Sequence, residues 1–225
     1  MNPTASTEEL SVAGLADRVE SLDWPQIESD LESDGCAIAK GLVLPDQCRA
    51  LAALYPQDEP FRSRVVMARH GFGRGEYKYF TYPLPEAVAT LRRSLYPHLA
   101  AVANRWNQAM KIAVSYPTDH DEYLERCHAA GQIRPTPLLL QYGEGDYNCL
   151  HQDMYGEFIL MEQRPRMQSR GEVVPLRQGD GVIFAVHHRP VQGTRGTYRV
   201  KLRHGVSRLR SGHRHTVGII FHDAQ

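Results

Sequence analysis

His151-Gln152-Asp153 is the strongest concentration of metal-binding chemistry in this 225-residue chain. Two residues apart on an extended segment, the imidazole and the carboxylate share a face and can reach one ion together. Two imidazoles and one carboxylate on one face of Fe(II) leave three adjacent positions, enough for a bidentate cosubstrate and dioxygen. A third ligand is therefore required. His187, His188, His204, His213, His215 and His222 all follow downstream. His187 and His188 are adjacent, so on a strand they face opposite ways and at most one can join the site. Spacing alone does not choose among the others.

Other chemistries find less support. A zinc hydrolase needs an activated water and a general base, and the chain has no His-Glu-x-x-His spacing. There is no Gly-x-Ser-x-Gly elbow for a Ser-His-Asp nucleophile. Gly71-Phe72-Gly73-Arg74-Gly75 imitates a phosphate loop but lacks the Lys-Ser/Thr and the helix that should follow, so it reads as a hairpin turn. Cys36, Cys48, Cys127 and Cys149 form no Cys-x-x-Cys pair and read as small buried fillers.

The elements that must hold His151 and Asp153 change character along the chain. Leu10, Leu15, Val19 and Leu22 mark one helix, and Pro25 opens another that ends at Asp34-Gly35. A strand follows over 36–43, then a helix from Pro45 to Leu54 and strands over 62–82. Val88, Leu91, Leu95, Leu99, Val102 and Trp106 give a helical stripe over 85–111, which Pro97 is expected to split in two. A short helix spans 119–130. From Leu138-Leu139-Leu140 onward the texture is strands and turns, with β-like runs at 157–161, 172–176, 181–186 and 215–221. This pattern predicts an α+β fold: a double-stranded β-helix, a jelly roll of the cupin kind, with N-terminal packing helices. Residues 1–225 read as a single domain, with 1–135 a mainly helical support and 136–225 the jelly-roll core that carries the metal site.

Composition sets the outer bounds. Apolar residues make up 42% and charged residues 23%, ordinary for a globular chain, and no apolar run is long enough for a membrane span. The first residues carry no basic-then-apolar leader, so the expected location is the cytoplasm. The net charge of zero conceals a gradient. Residues 1–60 hold twelve acids against three bases, while 160–222 hold twelve bases, eleven of them Arg, against three acids. Arg164, Arg166, Arg170, Arg177, Arg189, Arg195, Arg199, Arg203, Arg208 and Arg210 could serve an anionic partner such as nucleic acid, or the two halves could neutralise each other.

Tyr142, nine positions before His151, the His151-Gln152-Asp153 tripeptide and the distal run from His204-Gly205-Val206 to Gly212-His213-Arg214 together resemble the Fe(II)/2-oxoglutarate-dependent dioxygenases. The Tyr142 and His-Gln-Asp features are similar to AlkB-type nucleic-acid demethylases. The segment 136–222, including Gln163-Arg164-Pro165-Arg166, resembles a prokaryotic oxygenase family named for suspected action on damaged DNA. The resemblance implies His151, Asp153 and His204 as iron ligands and Arg214 with Tyr142 as holders of 2-oxoglutarate. It implies dioxygen as co-reactant and hydroxylation or demethylation as the chemistry, with nucleic acid as a possible partner; on a flipped or single-stranded base, Tyr147 and Tyr155 near the metal could stack. His187, His188, His213 and His215 then read as turn or substrate-side residues. Two other readings stand beside it: a non-catalytic anion- or nucleic-acid-binding module on a degenerate jelly roll, and an oxygenase acting on a protein or small metabolite.

One departure matters. In the family pattern a further strand and loop separate His-x-Asp-x-Tyr-Gly from the Glu-Phe-x-Leu segment. Here Met154-Tyr155-Gly156-Glu157 runs directly into Phe158-Ile159-Leu160. The jelly roll is therefore expected to lack one strand, which would leave backbone unpaired.

Overall fold

The computed structural model describes residues 12, 14–151, 158–163, 168–194 and 196–225. Helices α1 (Leu15–Glu20) and α2 (Trp24–Ser33) open it; Asp23 caps α2 by accepting from the Gln26 backbone N–H at 3.1 Å, and Pro25 occupies the first turn, where its missing N–H costs nothing. Strand β1 (Cys36–Ala39) and helix α3 (Pro45–Ala53) follow. Next come β2 (Phe61–Val66), a short 3-10 helix (Met67–His70), β3 (Gly73–Arg74) and β4 (Glu76–Phe80). Helices α4 (Glu86–Ala109) and α5 (His120–Ala129) precede β5 (Arg134–Pro135). The remaining strands are β6 (Leu138–Tyr142), β7 (Tyr147–His151), β8 (Phe158–Gln163), β9 (Arg170–Val174), β10 (Gly181–Phe184), β11 (His188–Gly193), β12 (Gly196–Val206), β13 (Arg214–Gly218) and β14 (Asp223–Ala224).

Two antiparallel sheets carry the architecture. One has the order β13-β6-β4-β2; the other runs β3-β7-β12-β8-β9, with β11 also on β12. Pairs β1-β10 and β14-β5 stand apart from them. Strand β6 shows how the layers are sorted. Leu139 joins the helical core with Leu91, Leu95 and Val88, while Leu138, Leu140 and Tyr142, on the opposite face, pack with Met67 and with Val206 of β12. Helices thus back one sheet, and the two sheets enclose a second core between them. The result is a jelly-roll-like α+β fold.

Two expectations change. Pro97 does not divide its helix: α4 is continuous from Glu86 to Ala109. Pro97 lies on the exposed side, where water can satisfy the Arg93 carbonyl, while buried Leu91, Leu95, Ala100 and Val102 hold both halves against the core. The cysteines are not uniformly buried either. Cys36 and Cys127 are, but Cys48 is half-covered and Cys149 is exposed, because β7 lies close to the rim of its sheet.

Candidate active site

Strand β7 carries His151 and pairs with β12, and in that ladder His204 lies directly opposite His151. Opposite residues in an antiparallel pair sit about 4.5–5.5 Å apart, close enough to serve one ion. His204 is fully buried and its ring packs 4.6 Å from the Phe184 ring. Just beyond, Val206 pairs with Asn148, so β7 fits an extra residue into the ladder. Such a bulge bends a strand and re-aims its side chains.

The other proposed pair occupies the other sheet. Arg214 lies directly opposite Tyr142 across β13 and β6. Tyr142 is buried in the cluster that also holds Val206, two residues beyond His204. Arg214 is half-buried, and its guanidinium makes no hydrogen bond or ion pair with any described residue. It lines a cavity of about 520 Å³ together with Phe184, Val182, Leu139 and Val217. Phe184 links the sites, touching His204 on one side and the Arg214 cavity on the other. An even spacing along one strand does not bring His204 and Arg214 together. They lie on separate strands of separate sheets, joined by a connection that is pinned to the 143–146 turn: Gly145 N–H donates to Leu209 O and Leu209 N–H to Asp146 O, both at 2.8 Å.

Neighbouring histidines take other parts. His215 faces away from Arg214 along β13, accepts from the Gln141 amide at 3.2 Å and meets the Tyr55 ring at 5.8 Å. Burial, with a smaller contribution from the His213 charge, holds its pKa below the usual imidazole value. His187 and His188 pack ring against ring at 3.9 Å at the exposed start of β11. His222 donates through Nδ1–H to Asp223 O at 3.1 Å, and its carbonyl accepts from Arg92 Nη2 at 2.8 Å.

Asp153, Tyr155, Arg164, Arg166, Arg195 and the side chain of His151 lie outside the described residues. Among the described residues no three His, Cys, Asp or Glu side chains converge on one ion. The arginines of the basic segment divide. Arg189 is buried, paired with Glu162 and donating to Glu32 O at 2.7 Å and Ser33 O at 3.0 Å, so it ties α2 to the sheet and faces no partner. Arg203, Arg208 and Arg210 are exposed, and the Arg208 guanidinium lies over the Tyr147 ring at 4.9 Å.

The sequence reading missed two contributors. Phe184 was visible only as part of an apolar run. The Gly71–Gly75 stretch is more than a hairpin turn: β2 and β4 do pair, but β3 crosses to the edge of the other sheet, where Arg74 lies opposite Tyr147. Phe72, 46% exposed, accepts from the Cys149 N–H through its carbonyl at 2.9 Å. Gly73 was the available signal. A Cβ there would stand 2.3 Å from Tyr147 O, so only glycine lets the two backbones approach.

The sequence profile of the Oxygenase-NA family, described as an oxygenase catalysing oxidative methylation of damaged DNA, matches residues 75–157 and 155–224. The chain belongs to the Oxygenase-NA family. It is 41% identical over 167 residues to two uncharacterised proteins from two strains of Mycobacterium tuberculosis, covering 64% of this chain and 72% of each relative. A crystal structure of a Pseudomonas putida prolyl-4-hydroxylase superposes with a TM-score of 0.45 and 14% identity, covering 86% of this chain and 95% of that one. Membership makes the protein an oxygenase. Among its described residues no helix is long and apolar enough to cross a membrane.

The Oxygenase-NA match comes in two pieces that meet at residues 155–157. That division falls where the sequence departs from the family pattern after Gly156.

Proposed function

We propose that the protein is an Fe(II)/2-oxoglutarate-dependent dioxygenase that hydroxylates or demethylates damaged nucleic acid. His151, Asp153 and His204 would hold the iron, and Arg214 and Tyr142 the cosubstrate. Arg214 carries this reading: a half-buried guanidinium without an anionic partner among the described residues, on the wall of a cavity that Phe184 connects to His204. A cation so placed is costly unless an anion joins it, and a carboxylate fits its planar fork in two hydrogen bonds. The Tyr142 phenol sits across the ladder as a further donor. The ligand set supports ferrous iron, since two imidazoles and a carboxylate leave adjacent positions free.

When bound, iron would couple decarboxylation of 2-oxoglutarate to insertion of one dioxygen oxygen into a C–H bond, giving succinate, carbon dioxide and an alcohol. The chain's own residues orient and exclude. Arg214 fixes the far carboxylate, Phe184 keeps water from His204, and Tyr142 sets the angle of approach. Hydroxylation of an N-methyl carbon would release formaldehyde. The family description and the exposed Arg74 and Arg208 beside Tyr147 support a nucleic-acid substrate, which must be single-stranded or flipped to reach the iron.

The break at 155–157 favours a second reading, a binding module that keeps the fold without metallation. One experiment separates the two. Anaerobic addition of Fe(II) and 2-oxoglutarate should produce the visible charge-transfer band of a keto acid chelated on ferrous iron, and aerobic incubation should release succinate. Both should vanish in His151→Ala and Asp153→Ala. Absence of the band from folded wild-type protein would leave the binding module as the function.

A further inference from the structure

The sheet β3-β7-β12-β8-β9 turns one face toward the core that holds His204 and the other outward. Along β12, Leu202, His204 and Val206 are buried, so Lys201, Arg203 and Gly205 point the opposite way. The ladders carry that outward side across the neighbouring strands: Ile159 stands opposite both Gly205 and Val173, and Met161 opposite both Arg203 and Gly171. A Cβ on Gly205 would come within 3.1 Å of the Leu150 backbone and side chain, which puts Leu150 next in the same row. Val173 is 58% exposed and Leu150 42%, while Ile159 and Met161 are half-covered. Aliphatic side chains and two bare glycine positions thus make a flat strip that faces solvent.

Cations border the strip on both sides. Arg203 is exposed beside it, with Lys201 two residues along the same strand, and neither side chain has a hydrogen bond or ion pair with a described residue. Across the strip, Tyr147 precedes buried Asn148, which pairs with Val206, so the Tyr147 ring is on the outward side. Arg74 lies opposite it and the Arg208 guanidinium over its ring at 4.9 Å. The two acids of these strands, Glu162 and Glu172, stand opposite buried Leu202 and Leu160 and belong to the inward side. Among the described residues of the five strands, no carboxylate faces outward. Charges of one sign around an uncharged floor repel one another until a polyanion lies across them. Single-stranded nucleic acid supplies both halves of the match: phosphates for the guanidinium and ammonium groups, and base faces for the aliphatic floor and the Tyr147 ring.

We propose that this outward face is a docking surface for single-stranded nucleic acid, on the opposite side of the sheet from His204. It rests on the nucleic-acid reading for its ligand and adds a second contact to it. The strand flanking a target base would lie over Arg203 and Lys201 and pass Tyr147 at the edge, so that a bound substrate stays at high local concentration beside the reacting site.

The test titrates a fluorescein-labelled oligothymidylate of about 15 nucleotides with the full chain, without metal, over a range of salt. Replacing Lys201 and Arg203 together by Ala should weaken binding at least about tenfold at low salt and lower the slope of log K against log salt by about 0.7 for each phosphate released. Val173→Asp, which sets a carboxylate on the strip, should weaken it as well, and the thermal unfolding transition should stay where it is in both variants. A thio-substituted thymidine in the oligomer should photocross-link to peptides containing Leu150 or Met161. Unaltered affinity in both variants, with only the Arg74→Ala and Arg208→Ala pair weakening the oligomer, would overturn the docking face and leave nucleic acid at the reacting site. No binding by the unaltered protein at low salt would sink the nucleic-acid reading and the face with it. Self-association that Val173→Asp abolishes and the oligomer does not displace would mean that a second copy covers the strip, which also overturns the proposal.

Discussion

Arg214 and Tyr142 stand directly opposite each other across β13 and β6, so two residues 72 positions apart in the chain present a guanidinium and a phenol from neighbouring strands. Tyr142 is held by the core between the sheets, while Arg214 is held only by its strand and the cavity wall. That difference sets what each substitution should do.

On the proposed dioxygenase reading, Arg214→Ala would remove a charge-assisted hydrogen bond to the cosubstrate and no side-chain contact to a described residue. The 2-oxoglutarate concentration giving half the charge-transfer band should rise about 10- to 100-fold, which corresponds to roughly 1.5–3 kcal/mol, with Fe(II) affinity unchanged. Parallel loss of iron affinity would show that Arg214 supports the ligand strands instead.

Asp223 concerns stability rather than chemistry. It is fully buried, accepts from Arg92 Nη2 at 2.8 Å and from the Tyr82 hydroxyl at 2.9 Å, and pairs with His128 at 2.8 Å, locking the C-terminal strand to α4 and α5. Burial pushes its pKa up, but the hydrogen bonds from His128 and Arg92 outweigh it and hold the carboxyl below its ordinary 3.8. A depressed carboxylate stabilises the fold above the ordinary value and loses that contribution as pH falls through the folded one. Asp223→Asn should cost about 3–5 kcal/mol near neutrality, because Arg92 is left buried and unpaired, and should flatten the acid limb of stability against pH below about pH 5. Chemical denaturation across pH measures both; an acid limb as steep as wild type would mean that another carboxylate dominates.

Gly73→Ala tests the crossing of β3 to the β7 edge. Its φ of 127° and the 2.3 Å approach to Tyr147 O leave no room for a methyl, so β3 should detach rather than adjust. Faster amide exchange at Tyr147 and Cys149 is expected, with a loss of about 1–3 kcal/mol in stability. Wild-type exchange there would refute the close approach as a constraint.

Single-stranded DNA binding tests the partner. Arg74 and Arg208 flank Tyr147 and are both exposed. Affinity should fall steeply with salt, and replacing both by Ala should lower the slope of log K against log salt by about 0.7 for each phosphate no longer neutralised. Tyr147→Ala should weaken binding by about 1–3 kcal/mol without changing that slope. Undetectable binding at low salt would turn the substrate toward a protein or small molecule.

What the sequence determined by itself was local. Leu139 and its neighbours alternate on the two faces of one strand, the stripe from Val88 to Val102 marks a helix, and the linear motifs around His151, His204 and Arg214 point to an oxygenase, because period, turn chemistry and motif order are written along the chain. The departure after Gly156 was also legible, and the family match divides at the same place. Only the tertiary structure decided pairing: that His204 meets His151 in register, that Arg214 meets Tyr142, that β3 leaves its hairpin for the other sheet, and that Arg189 is spent inside the protein. It also decided that Pro97 leaves α4 whole. Pairings across 50 or more residues depend on which faces are buried against each other, and a one-residue slip would send every side chain to the wrong face; that choice is made by the packed core, not by any stretch of sequence.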